Sequence, residues 1–297
     1  MISIFTPTYN RAHMLPALKN CIDEQTDSDF EWIIVDDGSV DVTRELVDVW
    51  MKQERPYSLK YIYQDNQGKH IASNTAIKIA KGDWFICVDS DDQITADAIA
   101  TMNNDIKNIS DGCVGIVYPR QLKGYDREAE WKVIDGKKVD IMDLKVEYDI
   151  PETAILIRKN EISDLHFPKI EGEKFIPEGW LYQKLIERGK FLAQNKIFYL
   201  AEYQEDGLTK NIWKLWAKNP TGVLMVLREK YLLLNKYKKK IRIIEKVKCA
   251  INVNTICMAS NKRILKNAPS KALGVLLYVP SMFFYHKRFK EKLKVNL

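Results

Sequence analysis

Trp84-Phe85-Ile86-Cys87-Val88-Asp89-Ser90-Asp91-Asp92 is the stretch on which the fold turns. Its apolar opening suits a strand, Trp84–Asp89, buried on both faces, and such strands belong to parallel sheets covered by helices. The sequence before it supplies the rest of such a sheet. Ile2–Thr6, Trp32–Asp36 and Leu59–Tyr63 also read as strands, and residues 13–24, 41–54 and 71–81 place apolar positions at helical spacing between them. Regular alternation of this kind predicts an α/β fold with a mainly parallel sheet and flanking helices.

In such sheets ligands bind beyond the carboxyl ends of the strands, and the chemically suggestive residues lie there. Thr6-Pro7-Thr8-Tyr9-Asn10 follows the first strand, Asp36-Asp37-Gly38-Ser39 the second, and Asp89-Ser90-Asp91-Asp92 the fourth. Carboxylates delivered to one edge repel one another, and a hard divalent cation with oxygen ligands relieves that repulsion and can bridge a diphosphate. The plain alternative is an acidic cap, with Asp92 starting a helix at Thr95. Asp36-Asp37-Gly38-Ser39 carries the same ambiguity, because Asp-Gly also marks ordinary turns. Asn66-Gln67-Gly68-Lys69-His70 precedes a helix start, where backbone amides and Lys69 could meet phosphate or simply form a loop and cap. His70 reads as either a hydrogen-bonded structural residue or a ligand.

The chain has 297 residues, enough for one large α/β domain with an extension or for two modest domains. Of its 46 Lys and Arg, 20 lie from Ile212 onward against only 3 Asp and Glu, so that end carries +17 and the remainder −11. Asymmetry of this size predicts that the basic end meets something acidic. Cys21, Cys87, Cys113, Cys249 and Cys257 are odd in number and lack zinc-like spacing, which points to free thiols in a reducing compartment. Met1-Ile2-Ser3-Ile4-Phe5 runs directly into a strand pattern without the features of a signal peptide, so a cytoplasmic protein is expected. From 113 to 211 the pattern predicts strands at Val114–Tyr118, Ala154–Ile157 and Lys196–Leu200 and a helix from Glu178 to about Arg188. Beyond Asn211 helix formers, Lys clusters and bulky apolar residues take over.

Taken together, Thr6-Pro7-Thr8-Tyr9-Asn10-Arg11, Asp36-Asp37-Gly38-Ser39, Asn66-Gln67-Gly68, and Ala80-Lys81-Gly82-Asp83 before the Asp-x-Asp run Asp89-Ser90-Asp91 resemble a family 2 glycosyltransferase of the GT-A fold, a Rossmann-like architecture. Order and spacing agree over residues 1–110, less closely to 211, and not beyond. The resemblance implies a catalytic domain over 1–211, with a nucleotide-sugar-binding half (1–110) and an acceptor half (111–211). Thr6, Pro7, Thr8 and Tyr9 would line the nucleotide base and Asp36 would hydrogen-bond it. Asn66, Gly68, Lys69, Asn74, Asp89 and Ser90 would complete the nucleotide-sugar site, and Asp91 with Asp89 would hold Mn²⁺ or Mg²⁺. One departure stands out: many relatives have Arg-Asn where this chain has Ser73-Asn74, and Lys69 could supply the missing charge. Relatives also carry Glu-Asp followed by Leu three and seven residues beyond the Asp. Glu178, with Leu181 and Leu185 at those offsets, maps onto the catalytic base, and Glu171 and Glu173 are nearby rivals. A plain helix-start glutamate reads the same way. Tyr203–Thr209, with Glu205-Asp206-Gly207, resembles a loop closing over the donor. By the same resemblance the reaction is an inverting transfer from a nucleotide diphosphate sugar, by default a UDP-sugar, to a glycan or lipid-linked acceptor in surface polysaccharide assembly.

The basic extension, 212–297, is expected to be helical. Its longest apolar run, Leu273–Tyr285, is 13 residues with Pro280 and Ser281 inside it, too short to span a bilayer that needs about 20. With His286-Lys287-Arg288 following, it suits an element lying in the membrane interface, and peripheral contact with the inner face of the cell membrane is expected. A helical subdomain packed through its apolar stripe is the alternative. Nucleic acid is not expected, because the bulky groups are aliphatic rather than interleaved stacking aromatics. Two further functions stay open: a nucleotide-sugar-binding module without catalysis, and a phosphoryl-transfer hydrolase with an aspartate nucleophile.

Overall fold

The computed structural model describes residues 1–109, 111–122, 131, 134–150, 152–202 and 211–290. Two compact units divide the chain: Met1–Pro168 with Lys184–Gln204, and Lys169–Gln183 with Glu205–Leu297.

The first unit opens with the predicted alternation. Strands β1 (Ile2–Thr8), β2 (Phe30–Asp36), β3 (Ser58–Tyr63) and β4 (Trp84–Cys87) are separated by helices α1 (Leu15–Asp23), α2 (Thr43–Met51) and α3 (Lys69–Ile79). They pair in parallel in the order β3-β2-β1-β4. Thr8 stands opposite Asp36, and Asp36 opposite Tyr63, so the carboxyl ends of three strands finish level. β1 and β2 are buried along almost their whole length, as strands covered on both faces must be. Trp32 is fully buried and its indole N–H donates to Thr6 Oγ1 at 2.9 Å, so the ring's one polar atom is satisfied.

The remaining strands are β5 (Gln93–Ile94), β6 (Cys113–Leu122), β7 (Lys138–Val139), β8 (Thr153–Arg158), β9 (Lys190–Ala193) and β10 (Tyr199–Ala201), with helices α4 (Ala98–Lys107) and α5 (Ile141–Val146) between them. β8 inserts antiparallel between β4 and β6, and β10 joins β6 in parallel and β5 antiparallel. The sheet is thus mainly parallel, and its antiparallel pairs begin at the outer side of β4, where β8 joins it. Gly115 permits the crowding at the centre, since a Cβ there would lie 2.4 Å from Leu156 O and 2.6 Å from the Phe191 ring. Several predicted boundaries shift, among them β6, which runs on to Leu122, and the helix expected from Glu178 to about Arg188, which spans Gly179–Leu185. β4 stops at Cys87, two residues before Asp89. The segment expected as a strand over Lys196–Leu200 is extended only at Tyr199–Ala201.

The second unit is helical: α6 (Gly179–Leu185) begins in it, followed by α7 (Ile212–Lys218), α8 (Pro220–Leu233), α9 (Lys239–Ala259), α10 (Ile264–Asn267), α11 (Lys271–Leu276) and α12 (Tyr278–Tyr285). Val223, Leu224 and Leu227 of α8 pack with Cys249, Val253, Ile256 and Cys257 of α9, each set at helical spacing, to make a core of its own. Both oxygens of Glu173 accept the first amides of α8, from Thr221 at 2.7 Å and Gly222 at 2.9 Å, a cap that also suits the helix dipole. Arg288 lies 3.7 Å over the Trp213 ring and donates to Asn252 and Thr255, which ties the chain beyond α12 to α7 and α9. Among the described residues no helix is long and apolar enough to cross a membrane.

Candidate active site

Past the end of β4 the chain turns so that Asp89, Asp91 and Asp92 bring one carboxylate oxygen each within 4.8 Å of the others. Negative charge at this density needs compensation, and most of it arrives from elsewhere in the first unit. Lys69, the first residue of α3, donates to Asp89 Oδ1 at 2.5 Å. Arg120 of β6 pairs with Asp92 and reaches within 4.0 Å of Asp89. The Tyr199 hydroxyl donates to Asp92 Oδ2 at 2.8 Å and accepts from the Asp89 amide at 3.2 Å. Arg120 lies 4.9 Å over the Tyr199 ring, which fixes the planes of both groups.

The three carboxyls respond differently. Burial pushes Asp89 up, but the Lys69 and Arg120 cations outweigh it and hold the group below the usual carboxylate range. Burial and then the Asp89 charge push Asp91 up. Asp92 is raised to about 7, by burial first and by Asp89 and Asp91 against the pull of Arg120. No side-chain hydrogen bond from another described residue reaches the Asp91 carboxylate. Asp91 is partly exposed, so it is the member of the cluster left to meet a ligand. Its donor set, hard oxygens beside a second carboxylate, fits Mn²⁺ or Mg²⁺. Asp92 does not cap a helix: Gln93–Ile94 is paired with β10 and α4 begins at Ala98.

The end of β2 uses its carboxylates inwardly. Asp36 is fully buried, accepting from Ser39 N at 2.7 Å and from the Tyr61 hydroxyl at 2.7 Å. Asp37 accepts from Gln64 Nε2 at 2.8 Å, Gln67 N at 2.9 Å and Gly68 N at 2.7 Å, which moulds the Asn66-Gln67-Gly68 turn ahead of α3. Gly38 has φ +87° and a Cβ on it would lie 2.7 Å from Asn66 N, so the two turns meet only because that residue is glycine. Gly68 likewise has φ +95° as α3 begins. Lys69 is thereby delivered to Asp89 by a turn that Asp37 shapes.

The other predicted residues lie in varied surroundings. Thr6 is buried and bonded to Trp32. Thr8 is buried at the end of β1, and its hydroxyl has no partner among the described residues, which leaves a polar atom for a ligand. Pro7 is partly buried, Asn66 partly exposed and Ser90 buried, while Tyr9 is 49% exposed. Asn74 brackets the Phe167 backbone, donating to its carbonyl and accepting from its amide, each at 2.9 Å. Ser73 donates to the Lys69 carbonyl within α3. His70 is buried edge-on against Phe167, its Nδ1 has no partner among the described residues, and burial pushes its imidazole down to about 4.

Glu178 belongs to the second unit, exposed and immediately before α6, with Tyr182 Oη 3.4 Å from its carboxylate. Leu181 and Leu185 are buried, as the helical offsets require. Glu173, one rival, caps α8 with both carboxylate oxygens. Tyr203–Thr209 lies outside the described residues. Arg120 and Tyr199 are the site members that sequence reading missed.

The family model described as glycosyl transferase family 2 matches residues 3–164, more than half of the chain, including Asp89, Asp91, Asp92, Lys69 and Arg120. The chain belongs to glycosyl transferase family 2. This family 2 chain is 26% identical over 234 residues to the glycosyltransferase GlyG of Streptococcus pneumoniae, covering 74% of this chain and 76% of that one. It is 30% identical over 196 residues to the poly(ribitol-phosphate) beta-glucosyltransferase of Bacillus spizizenii, covering 62% of this chain but only 30% of that longer protein. Among solved structures, S. aureus TarS 1–349 in complex with UDP-GlcNAc superposes with a TM-score of 0.60 at 15% identity, over 99% of this chain and 83% of that one. The mannosyltransferase PcManGT of Pyrobaculum calidifontis, in complex with GDP-Man and Mn²⁺, gives 0.57 at 18% identity, over 97% and 83%. These likenesses establish the GT-A fold for the family 2 chain.

Proposed function

We propose that this family 2 chain transfers a sugar from a nucleotide diphosphate sugar, with a UDP-sugar as the leading donor, to a hydroxyl of a glycan or lipid-linked acceptor in cell-surface polysaccharide synthesis. The observation that carries this reading is the carboxylate cluster beyond β4, in which, among the described residues, Asp91 is the member whose carboxylate receives no hydrogen bond from another residue while Lys69 and Arg120 balance its neighbours. A structural acidic cap has no reason to leave one partly buried carboxylate unmatched. A site for a divalent cation and a diphosphate does.

Asp91, with Asp89, would hold Mn²⁺ or Mg²⁺, which when bound supplies positive charge for the diphosphate leaving group. Thr8, the last residue of β1, and Tyr9 beyond it line the base and ribose side. The Asp37-shaped turn carries Lys69 to the phosphate side, in place of the Arg that relatives have where Ser73 stands. Asp36, with both oxygens committed, acts by fixing the floor of the base site. Glu178 takes the proton from the acceptor hydroxyl as that oxygen attacks the anomeric carbon, and a single displacement inverts the configuration. The domain roles follow from this: residues 1–110 bind donor, 111–211 meet the acceptor, and the basic helices of 212–297 meet an anionic membrane on its cytoplasmic side. Nucleoside diphosphate release, measured across UDP-, GDP- and other nucleotide sugars with and without Mn²⁺, tests the proposal. Metal-dependent release from one donor class supports it. Tight donor binding with no release in the presence of acceptor extracts points to a binding module, and phosphate release from phosphomonoesters to the hydrolase.

A further inference from the structure

We propose that α11 and α12 form a built insertion face by which this chain enters an anionic phospholipid leaflet, an inference that rests on the membrane reading above and gives it an address. The first observation is that the face is inside out for water. Over Lys271–Tyr285 the small and polar residues Gly274 and Ser281 are buried, with the Asn254 side chain donating to the Gly274 carbonyl at 2.9 Å and the Ser281 hydroxyl turned back onto Leu277 O at 2.6 Å. Four large apolar residues point outward instead, Val275 at 64% exposed, Leu276 at 73%, Val279 at 74% and Phe283 at 64%, while Leu273, Leu277 and Phe284 are partly covered. A water-facing helix pair carries the opposite pattern. Beside this face lies an open groove of about 880 Å³, with Cys257, Ile264, Leu265, Val275, Tyr278 and Val279 among its lining.

The second observation names the occupant. Between Lys246 and Lys290 there are nine Lys and Arg and no Asp or Glu. Lys271 opens α11, Lys262 and Arg263 edge the groove, and Lys287 and Lys290 follow α12. An anionic leaflet offers negative headgroups above an apolar interior, which matches both features at once. A second copy of this chain would match the apolar face but set cation against cation.

The test uses the full chain and sedimentation with vesicles of phosphatidylglycerol and phosphatidylcholine at physiological salt. Wild type is expected to bind these vesicles and not pure phosphatidylcholine. Val279→Ser/Phe283→Ser is expected to lose at least about tenfold in vesicle affinity with thermal stability and nucleoside diphosphate binding intact. Val275→Ser/Leu276→Ser, on the neighbouring helix, repeats the test should the first pair misfold. Ile243→Ser/Ile244→Ser, which alters exposed apolar residues of α9, should keep binding. If wild type binds and both face variants bind equally well, the face is wrong while the membrane reading stands. If wild type ignores anionic vesicles, both fall. If wild type is instead a dimer in solution that the face variants convert to monomer, the face joins two copies and the proposal is overturned.

Discussion

Asp36-Asp37 and Asp91-Asp92 look alike in sequence, each a pair of adjacent carboxylates at or shortly past the end of a buried parallel strand, yet their surroundings differ. Every oxygen of the first pair that is placed by the fold has a donor: Ser39 N and Tyr61 Oη for Asp36, and Gln64, Gln67 N and Gly68 N for Asp37. Near the second pair the donors are chiefly cations and a phenol, with the Glu202 amide at 3.4 Å from Asp92; they engage Asp89 and Asp92, and none from another described residue reaches the Asp91 carboxylate. An acidic strand end is therefore ambiguous until its donors are counted. Amides from a nearby turn make it architecture. Cations that leave one carboxylate unmatched make it a site for charge still to arrive.

The largest expected effect lies outside both ends. Glu178→Gln should lower turnover by roughly 10² to 10⁴, the range for losing a positioned acid–base group, while metal and nucleotide affinity stay near wild type. Glu171→Gln, made in parallel, should cost far less. Loss of donor affinity in Glu178→Gln would erase the separation between binding at β4 and chemistry at Glu178.

Asp37→Ala sharpens the comparison directly. It strands three donors on the turn before α3, and a stability loss of about 2–4 kcal/mol in urea denaturation is expected. Asp91→Asn, which deprives no donor, should change metal-free stability by less than about 0.5 kcal/mol or raise it. Equal losses in the two variants would mean that both ends are structural.

A smaller effect concerns pH. Asp92 is raised to about 7 in the folded protein, so its contribution to stability is fully present below the ordinary carboxylate range and is lost as pH rises through about 7, where it ionises beside Asp89 and Asp91. A divalent cation offsets that repulsion. The gain in Tm on adding Mn²⁺ should exceed that at pH 5.5 by at least about 2 °C at pH 8, and Asp91→Asn should abolish the gain. A gain that is independent of pH would place the ion away from this cluster.

Much of the β1–β4 half was legible in the sequence because each strand is a continuous apolar run and each helix keeps its 3.6-residue period. The pairing of β8 between β4 and β6 was not, since an apolar run states burial but not its neighbours or direction. β5, β7, β9 and β10 span only two to four residues, below the length at which alternation can be read. The balancing charges were hidden for a related reason. Arg120 sits 28 positions from Asp92 and Tyr199 107 positions from it, in stretches whose visible signal is only that of strands. Nor does composition mark Lys169–Gln183 as packing with the helical unit. What does mark it is contact: Gly222 of α8 has room for no Cβ, with Ile176 Cγ1 at 2.8 Å.

The central claim is that Asp91 is the carboxylate left for the metal of a nucleotide-sugar site, and calorimetry of UDP binding with and without Mn²⁺ tests it most directly. Wild type should bind UDP more tightly with Mn²⁺, and Asp91→Asn should weaken the metal-supported binding by at least about tenfold, or roughly 1.4 kcal/mol, while leaving the metal-free affinity unchanged. UDP affinity and metal dependence identical to wild type in Asp91→Asn would contradict the account.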